Sequence, residues 1–132
     1  MIRRLTSFAR NRRGAAIIEF ALAAPVFLML ALIIIQLGMV FGAKAGLESA
    51  ISEGARYATI FPAPSDAAII SRIQATQFML GNATVTGPTL THGTNSGRAY
   101  VDIQMSATVP INLIFFQGTP VTFQYTRRAY QG

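Results

Sequence analysis

The stretch Arg12-Arg13-Gly14-Ala15-Ala16-Ile17-Ile18-Glu19-Phe20 opens an apolar run that continues to Ala43 and decides the fold. Between Phe20 and Ala43 the only strongly polar side chain is Gln36. A helix over those residues is about 36 Å long at about 1.5 Å per residue. The hydrocarbon core of a bilayer is about 30 Å thick, so this run is long enough to span it. The anomaly is Glu19, because a carboxylate at the end of such a segment costs up to a few kcal/mol, about 3 at the centre of a span. That cost asks for a compensating partner.

The charge of the chain sits largely ahead of this run. Arg3, Arg4, Arg10, Arg12 and Arg13 precede Gly14 with no acid among them, so the net charge of +6 falls to +1 without the first 14 residues. A nucleic-acid partner is therefore not indicated, since the basic character belongs to the leader and leaves no basic patch on the remainder. Arginines flanking an apolar span hold that flank on the cytoplasmic side, and the C-terminal part then faces the periplasm or the exterior. The hydrophobic fraction of 52% and mean hydropathy of +0.42 reflect the apolar run between Ala15 and Ala43. With 132 residues there is room for one span and one small domain. There is no cysteine, which excludes a disulfide framework, a thiol nucleophile and a cysteine zinc cluster.

The string Arg13-Gly14-Ala15-Ala16-Ile17-Ile18-Glu19-Phe20-Ala21-Leu22-Ala23-Ala24-Pro25 resembles the class III signal of type IV pilins and, more narrowly, the TadE-like family. Those are minor pilins or pseudopilins of the tight-adherence (Flp, type IVb-like) pilus of bacteria. The resemblance is close over about the first third of the chain and holds only by layout beyond it. It implies that a prepilin peptidase cuts between Gly14 and Ala15. It also implies that Glu19, followed by Phe20, serves subunit assembly by neutralising the amine of a neighbouring mature N-terminus. A carboxylate and an ammonium are each costly in a low dielectric and tolerable together. The other reading of Glu19 is a carboxylate that snorkels to the headgroups beside Arg12 and Arg13.

Two other fates of the segment compete with a cleaved leader. An uncleaved signal anchor would give a bitopic protein with a periplasmic partner- or ligand-binding domain. A conventional secretory signal cut at Ala43-Lys44-Ala45 would release a domain starting at Gly46, but the apolar run is much longer than such signals need.

Pro25 lacks an amide hydrogen and predicts a helix kink. Gly38, Gly42 and Gly46, continued by Ala50 and Gly54, lie four apart and form a small-residue stripe for close helix packing, against neighbouring subunits or the chain's own domain. From Lys44 to Ile60 the pattern is amphipathic, with Leu47, Ile51, Ala55 and Ala58 on one face and Lys44, Glu48, Ser52 and Arg56 on the other. The helix accordingly leaves the membrane near Ala43 and ends at Phe61-Pro62-Ala63-Pro64. Ser65 caps a second helix reaching to about Leu80, with Ile69, Ile70, Ile73 and Leu80 turned inward.

Thereafter the period is two. Thr84–Thr91 is a weak strand broken by Gly87-Pro88, and His92–Gly97 reads as a polar loop. Arg98–Val109 alternates as a half-buried antiparallel strand interrupted by Pro110. Ile111–Phe116 fits strand or short helix, Gly118-Thr119-Pro120 turns the chain, and Val121–Thr126 is a last strand. The aromatics Phe115, Phe116, Phe123, Tyr125 and Tyr130 read as core with some interface.

The expected fold is thus α+β and pilin-like: residues 1–14 a cleaved cytoplasmic leader, 15–61 a long helix spanning the membrane at about 20–43, and 62–132 a small periplasmic domain with a second helix and an antiparallel sheet. No catalytic residue, cofactor or metal site is indicated. His92 lies apart from any acid in sequence, and Arg127-Arg128 reads as a solvated pair. The resemblance implies a single-pass inner-membrane protein, with entry into an extracellular pilus as an extension of that placement. Its implied partners are the prepilin peptidase, other pilin-like subunits, the inner-membrane assembly platform and the lipid bilayer.

Overall fold

A computed structural model describes residues 12–113 and 116–131. Most of the basic leader, residues 1–11, lies outside the described residues, as does Phe115. The element order is α1 (Arg12–Ala58), α2 (Asp66–Ala75), β1 (Thr84–Asn95), β2 (Arg98–Leu113) and β3 (Phe116–Tyr130). The three strands form one antiparallel sheet in the order β1-β2-β3. The architecture is α+β, with a long apolar N-terminal helix, a second helix and an antiparallel meander.

The chain falls into two compact units, Met1–Ile35 and Gln36–Gly132. In the first, α1 runs unbroken through Pro25. Its large apolar side chains stand exposed all round, including Ile17, Ile18, Phe20, Leu22, Phe27 and Ile34.

In the second unit, the rear half of α1 supplies one layer of the core. Val40, Ala43, Leu47, Ala50 with Ile51, Gly54 and Ala58 recur every three or four residues and are buried, as a helix face packed on a sheet must be. They meet Val101, Ile103, Met105, Ala107 and Val109, the alternate residues of β2. Fully burying one such Leu or Ile contributes about 1.5–3 kcal/mol. Ile69 and Ile73 of α2 join the same core, while Ile70 and Leu80 are only half-buried.

The structure differs from the sequence reading in three local respects. First, α2 stops at Ala75 and does not reach Leu80. The hydroxyl of Thr76 donates to the carbonyls of Arg72 and Ile73, at 3.0 and 3.1 Å, and so satisfies groups that a further turn would have used. The N-terminus is as read: Ser65 Oγ accepts from the Ala68 amide at 3.3 Å.

Second, β1 continues past Thr91 to Asn95, so His92–Asn95 is strand and not loop. Only Ser96-Gly97 forms the turn, with φ of 51° and 77°, the doubly left-handed pair that a two-residue hairpin needs and glycine accepts most readily. The polar composition of this part reflects an edge strand with an exposed face.

Third, Gly87-Pro88, Pro110 and Gly118-Thr119-Pro120 do not end strands. They sit at register shifts, between Thr86 and Thr89 in β1 and between Val109 and Ile111 in β2. Thr119 and Pro120 together oppose Pro110 there. A bulge absorbs a proline's missing N–H. Pro110 is tolerated in the central strand because β1 pairs only as far as Thr108, leaving that side of β2 open.

The small-residue stripe has unequal surroundings. A Cβ on Gly46 would run into the Phe78 carbonyl, one on Gly54 into the Ile73 side chain, and one on Gly42 would lie 3.2 Å from Met79 Cε. A Cβ on Gly38 would meet nothing within 4 Å. In thermal melts of the detergent-solubilised chain, Gly46→Ala is expected to destabilise the domain by about 1–3 kcal/mol through overpacking. Gly38→Ala is expected to be neutral or to stabilise by up to about 1 kcal/mol through helix propensity.

Candidate functional site

Two regions carry the chain's unusual chemistry, one in each unit. In the first, Gly14 lies in the opening turn of α1. The N–H groups of that turn have no intrahelical partners, and helix ends fray there first. Ala15 and Glu19 are four residues apart and therefore share a helix face one turn from each other. The side chains of Ile17, Ile18, Glu19 and Phe20 are exposed. Among the described residues no cation pairs with Glu19. Farther along, Phe20, Ala23, Ala24, Phe27 and Leu28 line a shallow apolar notch on the helix surface. The sequence reading missed this notch, although Phe20, Ala23, Ala24 and Phe27 lie at i, i+3, i+4 and i+7 and so share a helix face.

In the second unit the polar groups pair locally. Glu53 on α1 accepts from Arg56 Nε and Nη2 at 3.0 and 2.8 Å. It also accepts from Arg72 of α2, whose Nη2 lies 2.6 Å from Oε1. The hydrogen bonds from Arg56, then those from Arg72, hold the Glu53 carboxyl at about 2, below the usual 4.5. The sequence reading named neither contact; the Arg56 pair is a local i, i+3 contact, whereas the Arg72 contact depends on how α2 folds back on α1.

Arg128 is not simply solvated. It forms a bidentate pair with Asp102 across β2 and β3, both bonds at 2.7 Å, and its guanidinium lies 3.9 Å from the centre of the Tyr100 ring. This lowers the Asp102 carboxyl and raises the guanidinium. Arg127 Nη2 stands 3.9 Å from Glu48 Oε1. His92, in β1, has Nε2 2.9 Å from Asp66 Oδ1; the acid is remote in sequence and close in space. Arg98 lies over the Tyr130 ring at 5.4 Å.

The aromatics divide. Phe123 and Tyr125 pack against the core, whereas Phe116 is 61% and Tyr130 38% exposed. Gln36, the lone polar group of the apolar run, donates from Nε2 to the Asn112 carbonyl at 2.7 Å. Among the described residues no three His, Asp or Glu side chains gather where a metal could be held.

One helix, Gly14–Ala58, is long and apolar enough to cross a membrane, which is compatible with a single-pass membrane protein. Residues 14–56 match the family model described as TadE-like protein. That match upholds the resemblance over this segment, and it is to a pilus-related family of structural, non-enzymatic kind. Neither a curated protein nor a solved structure matches the chain.

The Glu53 cluster yields a pH dependence. Its folded pKa is depressed, so its contribution to stability is present above the unfolded value and is lost as pH falls toward the folded one. Chemical unfolding of the solubilised chain should therefore become easier between about pH 4.5 and about pH 2. The Glu53→Gln chain should show a shallower dependence across that window.

Proposed function

We propose that this chain is a minor pilin or pseudopilin of a tight-adherence (Flp, type IVb-like) pilus, processed by a prepilin peptidase and assembled through the first half of α1. The observation that carries the reading is the TadE-like match, which begins at Gly14 and takes in Glu19, Phe20 and the whole apolar run. The five leader arginines lie ahead of it and keep the N-terminus cytoplasmic, so that the domain formed by residues 36–132 faces the periplasm.

Cleavage of the Gly14–Ala15 bond in the fraying first turn releases the leader and creates an ammonium on Ala15. With an ordinary α-amino pKa of about 7.7–8.0, that group is charged at neutral pH. Its own Glu19 lies one turn away, and in a bundle of such helices the Glu19 of one subunit neutralises the amine of the next. The pair resolves the cost that Glu19 carries at the edge of an apolar helix. Phe20 and the Ala23–Ala24 notch give neighbouring helices an apolar surface to pack on, where close van der Waals contact is the main driving force in lipid. A bend at Pro25 would aim that surface.

The protein's role is structural: it enters, primes or regulates a pilus that serves surface adhesion and biofilm formation. Its partners are the peptidase, other pilin-like subunits, the inner-membrane assembly platform and the bilayer.

Replacing Glu19 tests the reading. In cells making the peptidase and the other pilus subunits, Glu19→Ala should still be cleaved and membrane-bound. Its cross-linked co-isolation with pilin-like subunits should fall at least about tenfold, because an unmatched buried charge costs about 3–5 kcal/mol. Undiminished co-isolation would contradict the assembly role.

A further inference from the structure

The β2–β3 hairpin ends in Ile111, Asn112 and Leu113 facing Phe116, Gln117 and Gly118. From Ile103 to Thr126 the sequence has no charged side chain, and on α1 there is none between Glu19 and Lys44. The charges of the sheet gather toward its other end, in Arg98, Asp102, Arg127 and Arg128, with the His92–Asp66 pair on the same side. Across about 50 Å of β2, at about 3.3 Å per residue, the sheet therefore runs from a charged end to an uncharged one, whose polar side chains are the amides of Asn112 and Gln117.

The uncharged end is tied to α1 by Gln36. Its amide donates to the Asn112 carbonyl at 2.7 Å, so the hairpin end stands at the level where the chain enters this unit from residues 14–35. At that level Leu37, Phe41 and Phe116 are exposed, the last two by more than 60%. A backbone carbonyl near lipid has no water to bond with, and an unsatisfied one is costly. Gln36 removes that cost for Asn112. One turn on, Val40 and Ala43 are buried against Val109 with Ile111, Val121 and Phe123 around them. Those helix residues face protein and are not free to face lipid.

We infer that the charge-free paired residues Ile111–Leu113 and Phe116–Gly118 of the β2–β3 hairpin, anchored by the Gln36–Asn112 bond, lie in the interfacial layer of the same bilayer that α1 crosses. The inference rests on the reading that residues 14–35 span a membrane. It moves the outer limit of the lipid-embedded stretch from Ala43 to about Gln36. Gly14–Ile35 is about 33 Å long at about 1.5 Å per residue, close to the hydrocarbon thickness of about 30 Å. Leu37 and Phe41 then fall in the headgroup layer, where exposed aromatic rings are at home. The occupant of this surface is lipid, because the surface carries no charge and is hydrogen-bonded to Gln36, the residue that follows the spanning segment directly in the chain.

The chain contains no tryptophan, so single substitutions report depth without interference. The full chain is reconstituted in mixed phosphatidylcholine and phosphatidylglycerol vesicles, with bromine near the top of the acyl chains as quencher. Leu28→Trp marks the span, Thr94→Trp the far end of the sheet, and Phe116→Trp the hairpin. Phe41→Trp reads the same layer from α1 should Phe116→Trp misfold. Phe116→Trp is expected to be blue-shifted and quenched several-fold more than Thr94→Trp. Quenching of Leu28→Trp alone would overturn the inference and leave the span intact. No quenching at any site would overturn the span and the inference with it. A blue-shifted, unquenched Phe116→Trp that varies with protein-to-lipid ratio would also overturn it, and would assign the surface to contacts between copies.

Discussion

Leu47 and Ile51 are wholly buried on the same continuous helix that leaves Ile17, Phe20 and Phe27 about 70% exposed. That division governs everything else in the chain. The rear half of α1 presents one face to β2, and Leu47 and Ile51 share a single core there with Ile73 of α2 and with Val101 and Ile103. The front half presents apolar groups in every direction, which only lipid or other apolar helices can accommodate. One element thus belongs to two environments, and its sequence changes character between them.

The local details follow from keeping α1 close to its neighbours. Gly46 and Gly54 have no side chain where the Phe78 carbonyl and Ile73 come nearest. The register shifts around Pro88 and Pro110 let β1 and β2 continue past prolines that cannot donate to the ladder. The Glu53 bonds to Arg56 and Arg72 tie α2 to α1 at the rim of the core. None of these contacts supplies chemistry. They tie α2 and the sheet to the rear half of α1.

Much of this was legible in the sequence. The apolar run, the amphipathic change after Lys44, the cap at Ser65 and the alternation from Val101 to Val109 each rest on a local period, and local periods survive folding. The strand ends were not legible. Proline and glycine were taken as terminators at 87–88, 110 and 118–120, because sequence alone does not reveal that a partner strand can shift register around them. Nor could His92 be paired with Asp66, or Arg128 with Asp102, since those contacts join residues 26 apart. Gln36 was conspicuous as the one polar group in its run, but its partner lies 76 residues away. The end of α2 was missed because Thr76 satisfies the last carbonyls with its own hydroxyl. Around Gly14 and Glu19 the residue types carry the functional reading, and the helix adds the single turn that separates Ala15 from Glu19.

The proposed assembly route stands on Gly14 as a cleavage point and Ala15 as a functional N-terminus. Intact mass and terminal sequencing of the membrane-extracted protein, from cells with and without a prepilin peptidase, test this directly. A chain beginning at Ala15 is expected only where the peptidase is present. A chain retaining the leader in both strains would contradict it. The protein would then be an uncleaved bitopic anchor, with Glu19 a charge at the membrane edge that no amine of its own kind neutralises.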